Sequence, residues 1–199
     1  MADFKINGVT FASESGGVVS LSNANVFPAG HVIETKQYLY RTAISFNHNS
    51  GNYTMINGFE VTTNALMANV KFYISYDVSA GVANTNDHAI SASIFKDSDT
   101  TPLSGYTRSD SYGSRKPTTG HSPGYINNSS NNEYRMFLMR GSFLYTSTLA
   151  ANASITFKIG MFQHDTNSET AYINMSGNDS DAIWIPRSVS QLTVQQIAV

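Results

Sequence analysis

The closest match to a catalytic motif in this sequence is Gly120-His121-Ser122-Pro123-Gly124, which fits the nucleophile-elbow pattern G-x-S-x-G. That motif needs a strand before the serine, a helix after it, and an oxyanion donor from the backbone N–H that follows the nucleophile. Loop-forming residues flank the match on both sides, and proline at position 123 has no backbone N–H. We therefore predict that Ser122 is not a catalytic nucleophile.

The acidic residues and the five histidines do not have the spacing of a metal site. Asp97-Ser98-Asp99 begins like a calcium loop, but the glycine at loop position six and the closing glutamate are missing. The oxygens of Asn178-Asp179-Ser180-Asp181 suit a cation or a capped turn equally well. Glutamates at 60, 133 and 169 are isolated, so no carboxylate pair for glycoside hydrolysis can be assigned. We expect no enzymatic activity, no metal and no cofactor.

The elements that would carry any site are strands, because apolar residues alternate with polar ones along most of the chain. Leu66–Val78 places every second residue on one apolar face, and Ile155–Met161 repeats the pattern. This alternation is typical of an antiparallel sheet with one buried face. Met67, Tyr73 and Phe162 fall on the other face. Further strands are predicted at 32–46, 53–63, 88–96, 134–148, 170–176, 182–186 and 189–198. Such a series without helices predicts an all-β jelly roll or sandwich.

The N-terminal segment is predicted to be a separate hairpin and arm, residues 1–30, ahead of a domain that spans residues 31–199. Asn7-Gly8 lies between two alternating apolar pairs, which is the strongest short signal for a β-hairpin. Two strands alone are marginal in water, so we expect this hairpin to dock on something else. Val18–Leu21 is a candidate short strand in the arm. The residues assigned to attachment are Phe4, Ile6, Val9 and Phe11.

One segment, residues 97–132, interrupts the strand pattern and is predicted to be a long loop. Long loops in compact domains are often functional, and Tyr and Arg are enriched at binding hot spots. The alternative interpretation is a solvated insertion along the edge of the sandwich. The candidate receptor or partner contacts are Tyr106, Arg108, Tyr112, Arg115, His121 and Tyr125.

Composition excludes several classes of protein. Charged residues make up only 13% of the chain and the formal net charge is −2, so there is no electrostatic drive towards nucleic acid. The chain has no cysteine, which excludes disulfides, thiol catalysis and cysteine-ligated metals. No run of 18 apolar residues occurs, and residues 1–11 do not resemble a signal peptide. We expect a protein that is made in the cytoplasm and does not enter a membrane.

Four segments resemble those of a known group of proteins. Pro28–Thr35 (PAGHVIET) resembles the entry strand, and Arg187–Val199 (RSVSQLTVQQIAV) the closing strand, of jelly-roll virion proteins from marine tailed phages such as cyanophages. Residues 152–163 and 170–174 resemble their penultimate strands. The resemblance implies a trimeric jelly-roll knob, similar in shape to C1q and TNF, on the outside of a virion. It implies no catalytic residues.

The leading hypothesis is a non-enzymatic virion surface protein, homotrimeric and made in the host cytoplasm. It would attach to the major capsid protein or a tail protein through its N-terminal arm. A capsid decoration or head fibre is favoured over a long tail fibre, because no heptad or repetitive shaft is present. One alternative is a tail-fibre tip that binds a host-surface glycan or protein through residues 97–132. A bacterial lectin-like module is the third hypothesis.

Overall fold

The computed structural model describes residues 2–6, 9–15, 18–21, 28–47, 53–82, 90–103, 120–121, 136–163, 170–178 and 187–199. Within these ranges the chain forms thirteen strands and no helix. The strands are β1 (Ala2–Ile6), β2 (Val9–Ser15), β3 (Val18–Leu21), β4 (Val32–Tyr40), β5 (Ile44–Asn47), β6 (Thr54–Asn64), β7 (Lys71–Val82), β8 (Ile90–Lys96), β9 (Gly120–His121), β10 (Met136–Thr146), β11 (Ser154–Gln163), β12 (Thr170–Ile173) and β13 (Ser190–Ile197). No membrane-spanning helix is found in the described ranges.

The N-terminal strands form a three-stranded antiparallel sheet in the order β1-β2-β3. The predicted hairpin is confirmed, since Ile6 pairs with Val9 and Phe4 with Ala12, although the Asn7-Gly8 turn itself lies outside the described residues. The register shifts between Phe4 and Lys5. Among the described strands, none of the other ten pairs with this sheet.

Eight of the remaining strands have the connectivity of a jelly roll. One sheet contains β4, β13, β7 and β10 side by side, and the other has the order β6-β11-β8-β9. In chain order the first of these eight strands pairs with the last, the second with the seventh, the third with the sixth and the fourth with the fifth. This nested antiparallel pairing is a hairpin rolled into two facing sheets. The predicted all-β jelly-roll fold is confirmed.

The predicted strand at 32–46 is two strands in the structure, β4 and β5. Strand β5 pairs with β12, and both extend the first sheet. The side-chain amide of Asn174 donates to the carbonyl oxygens of Tyr40 (2.7 Å) and Thr42 (3.1 Å), which lie where β4 ends. The chain resumes at Ile44 and pairs β5 with β12. A residue 134 positions away therefore divides the strand. The predicted strand at 182–186 lies outside the described residues.

The core lies between the two sheets, where the inward positions of the long strands interdigitate. The rings of Phe72 (β7) and Phe157 (β11) meet across the sheets with centroids 5.3 Å apart. Full burial of a side chain of this size stabilises the fold by about 1.5–3 kcal/mol. The predicted alternation is confirmed, because the inward side chains of both patterns are at most 2% exposed. They are Val70, Phe72, Ile74, Tyr76 and Val78 in the first and Ile155, Phe157, Ile159 and Met161 in the second.

Four details of the two predicted alternating strands, around 66–78 and 155–162, are wrong. The strand begins at Lys71, because the preceding residues turn through Asn69, which has a φ of 58°. Ala68 is consequently exposed. Met67 is half-buried against the core, so it is not an outer-face residue. Phe162 is only 6% exposed, because its ring packs against Tyr53 at a centroid distance of 5.4 Å.

A buried polar cluster joins the two sheets at one end of the sandwich. Gln196 (β13) is fully buried, and its Nε2 donates to Glu34 Oε2 (2.5 Å), Thr63 Oγ1 (3.0 Å) and the Asn64 carbonyl (2.8 Å). Its Oε1 accepts from the Leu66 backbone N–H at 2.9 Å. Since the polar atoms of Gln196 are satisfied, the cluster fixes the register of the first and last jelly-roll strands against β6.

Candidate interaction surface

The structure places part of the G-x-S-x-G match in a strand. Gly120–His121 forms β9 and pairs with Ser91 and Ala92 of β8, so the predicted loop at 97–132 is wrong at these two residues. The residues just before Gly120, which the sequence assigned to a loop, lie outside the described residues. Residues 97–132 are likewise not entirely irregular, because Leu103 N–H also donates to the Ile94 carbonyl at 3.0 Å. Ser122 and the residues that follow it lie outside the described residues.

The acidic residues near position 97 serve the turn that ends β8. Asp97 has a φ of 49°, and its Oδ1 accepts the Thr156 backbone N–H at 3.0 Å. Asp99 accepts from Lys96 Nζ at 3.2 Å, and this bond raises the pKa of Lys96. Among the described residues, no three histidine or acidic side chains are grouped as metal ligands.

Most of the predicted contact residues fall in segments that the structure does not describe. Tyr106, Arg108, Tyr112, Arg115 and Tyr125 lie outside the described residues, and of the candidate contacts only the backbone of His121 is placed, in β9. The attachment residues Phe4, Ile6, Val9 and Phe11 lie in β1 and β2. Phe11 falls at the register shift and has no cross-strand partner in β1.

Within the described ranges, the candidate surface with the most exposed large apolar side chains is the outer face of the first sheet, which we call the β7 face. It consists of the outward positions of four adjacent strands. The outward residues form three rows, each running from β4 through β13 and β7 to β10. The first row is Leu39, Gln191, Asp77 and Arg140; the second is Gln37, Thr193, Ser75 and Ser142; and the third is Thr35, Gln195, Tyr73 and Leu144. Beyond the first row, Leu138 lies opposite Ser79.

Large apolar side chains are exposed on this face. Tyr73 (37%) and Leu144 (40%) are directly paired across β7 and β10, Leu138 (43%) lies on the same side of β10, and Leu39 (40%) lies on β4. The other sheet differs, since the exposed outward positions described on β6 and β11 carry polar residues such as Glu60, Thr62 and Ser154, whereas its outward aromatic residues Phe95 and Phe162 are buried. Only Tyr73 and Leu144 adjoin, and the polar rows separate them from Leu138 and Leu39. Large apolar side chains exposed around a polar centre are a feature of interaction sites.

A hydrogen-bonded ladder crosses the β7 face beside these side chains. Arg140 Nε lies 2.9 Å from Asp77 Oδ1, and Gln191 Nε2 donates to Asp77 Oδ2 at 2.6 Å. Gln37 Nε2 in turn donates to Gln191 Oε1 at 3.0 Å. A shallow groove of about 450 Å³ runs past the ion pair, with Tyr73 and Ser142 in its lining. The Asp77 carboxylate is therefore compensated within the face.

The sequence pattern places Tyr73 on the outer face but does not identify the exposed Leu138 and Leu144. Met136–Tyr145 is apolar at both odd and even positions, so its alternation does not distinguish the inner from the outer face. In the structure Met139 and Phe143 point into the core, which leaves Leu138 and Leu144 outside. The chemistry of the β7 face is that of binding: apolar contact surrounded by amides and hydroxyls, which both donate and accept.

The fold and this surface define a jelly-roll β-sandwich with an exposed, partly apolar sheet face. Neither the protein-family models nor the curated proteins include a match. Among solved structures, the chain is similar to the tripod from the baseplate of bacteriophage Tuc2009, with 16% identity, coverage of 100% of this chain and 82% of that one, and a TM-score of 0.36.

The chain is also similar to VP2 of an infectious bursal disease virus subviral particle, with 12% identity, coverage of 94% of this chain and 42% of that one, and a TM-score of 0.36. For the Gx strain of that virus the identity is 10%, the coverage is 94% and 42%, and the TM-score is 0.34. The chain thus spans about four-tenths of each of these two viral chains. Similarity at this level does not assign a family or a function.

Proposed function

We propose that this chain is a non-enzymatic structural protein on the surface of a tailed-phage virion, a homotrimeric jelly roll that decorates the capsid or forms a head fibre. One observation carries the proposal: the segments that resemble such proteins occupy the places that the resemblance requires. Pro28–Thr35 leads into β4, the entry strand, and Arg187–Val199 contains β13, the closing strand. These two strands pair along their length, from Ser190 with Tyr40 to Ile197 with Val32.

The N-terminal sheet supports an attachment role for residues 1–30. Along β1, alternation separates Phe4 and Ile6 from Asp3 and Lys5. The cross-strand row from Phe4 continues through Ala12 to Leu21, while Glu14 pairs with Ala2 and Val19 in a separate row. A small sheet with an apolar cross-strand row is suited to packing on another protein. Its partner in this proposal is the major capsid protein or a tail protein, and the virion exterior is the location.

The test is incorporation of the chain into virions of the phage that encodes it, followed by immunogold labelling and quantitative mass spectrometry of purified particles. Wild-type protein should label the particle surface. Phe4→Asp should reduce incorporation at least tenfold, because it places a carboxylate in the apolar row.

Thr10→Asp is the matched control for this variant. It adds the same charge opposite Lys5, whose side chain is exposed, and should incorporate normally. Absence of the wild-type chain from purified particles would contradict the virion role. Equal incorporation of the two variants would contradict only the attachment assignment.

A further inference from the structure

We infer that the β7 face is the surface on which a second copy of this chain docks. The inference deepens the proposed function and rests on it, because it supplies the contact between protomers that a homotrimer requires. Two alternative partners are a host glycan and a capsid protein, and the test below distinguishes both from a second copy.

The face has the size that such a contact needs. Four strands about 4.8 Å apart and about nine residues of about 3.3 Å each make a surface of roughly 19 by 30 Å, or roughly 600 Å². A stable interface buries about 800 Å² on each partner. The face therefore provides most of one contact before its surrounding loops are counted.

The arrangement of apolar side chains favours a protein partner. Tyr73 and Leu144 adjoin near the β10 side of the face, with Leu138 on the same strand and Leu39 on the far side of β13. Each exposes 37–43% of its surface to water in the single chain. Burial of such leucine and tyrosine side chains is the main source of free energy in protein association.

The charges favour an identical partner in particular. In a homotrimer this face contacts a different surface of the neighbouring copy, and that copy has only 13% charged residues and a net charge of −2. A face whose carboxylate, Asp77, is held by both Arg140 and Gln191 suits such a weakly charged partner. The remaining members of the rows are mainly Ser, Thr and Gln, whose hydroxyl and amide groups can satisfy one another in either direction. The rows contain one acidic and one basic residue, so their net charge is zero. They therefore offer no electrostatic attraction to an acidic glycan or to a charged protein surface.

The test compares Leu144→Asp with Ser154→Asp in the full chain by sedimentation equilibrium. Ser154 is exposed on the outer face of the other sheet, so its variant adds the same charge away from the proposed contact. At the same micromolar concentration, wild-type and Ser154→Asp should be trimers and Leu144→Asp a monomer, with a dissociation constant at least 100-fold weaker. Circular dichroism should show that all three melt as folded proteins.

A second readout uses the absence of cysteine from the native chain. A thiol introduced by Ser142→Cys should react with a bulky maleimide at least tenfold more slowly in the trimer than one introduced by Ser154→Cys. If the wild-type is a trimer but Leu144→Asp is also a trimer, or if the two thiols react equally, the face assignment is overturned and the homotrimer remains. If the wild-type is a monomer, both the homotrimer and the docking of a second copy on the β7 face are wrong. The exposed side chains of the β7 face would then be explained by binding to a capsid protein or a glycan. If Leu144→Asp does not fold, the thiol protection alone decides.

Discussion

Replacement of Asn174 by glycine should destabilise the jelly roll by about 3 kcal/mol, although it removes only one small polar side chain. Asn174 is 1% exposed and has a φ of 61°. Besides its two bonds to the end of β4, its Oδ1 accepts from Ser190 Oγ at 2.6 Å. The side chain thus joins β4, β12 and β13.

The magnitude follows from the two buried bonds in this set. Loss of Asn174 leaves the Tyr40 carbonyl without its side-chain donor and the Ser190 hydroxyl without its acceptor, at about 1–2 kcal/mol each. The third bond, to Thr42, is partly exposed, and water can replace it. Glycine tolerates the positive φ, whereas alanine adds about 1 kcal/mol of backbone strain. For a domain of this size, 3 kcal/mol corresponds to a melting temperature about 6–12 °C lower.

Asn152 is the matched control, because it also has a positive φ (66°) but is exposed. Asn152→Gly should be within about 0.5 kcal/mol of wild-type, and Asn152→Ala should cost only the strain of about 1 kcal/mol. The assay is urea unfolding at one fixed protomer concentration, since assembly contributes to apparent stability. An Asn174→Gly free energy within 1 kcal/mol of wild-type, or equal effects at the two positions, would refute the reasoning.

Two further predictions concern packing and pH. Gly160→Ala should destabilise the fold by about 1–3 kcal/mol in urea, because its Cβ would lie 2.4 Å from the Phe95 ring, and wild-type stability would show that the ring moves freely. Asp99 raises the pKa of Lys96 above 10.5, so the pair stabilises the fold below pH 10.5 and this stabilisation is lost as the pH rises through the raised pKa. Urea unfolding of Lys96→Met between pH 9 and 11.5 should therefore show a smaller decline than wild-type, whereas parallel pH profiles would contradict the role of the pair.

The fold class could be predicted from the sequence because burial in a sandwich depends on a local period of two. In β7 and β11 the inward positions are almost uniformly apolar, so the pattern identifies the core without any knowledge of the partner strands. The hairpin around Asn7-Gly8 was equally local, since the turn chemistry and the flanking alternation coincide.

The features that the sequence did not reveal depend on distant residues. The break between β4 and β5 is caused by Asn174, and no local pattern near Tyr40 indicates it. Phe162 occupies an outward position yet is buried, because Tyr53 lies over it. The same applies to the candidate surface, since Leu138 and Leu144 could be assigned to the outer face only once Met139 and Phe143 were placed in the core.

The most direct test of a homotrimeric jelly-roll knob is the solution mass of the purified full chain by light scattering. The chain mass is 21.7 kDa, and three copies give about 65 kDa. A single species of that mass, unchanged on dilution through the micromolar range, is the predicted result. A stable 21.7 kDa monomer over the same range would contradict both the trimer and the docking of a second copy on the β7 face.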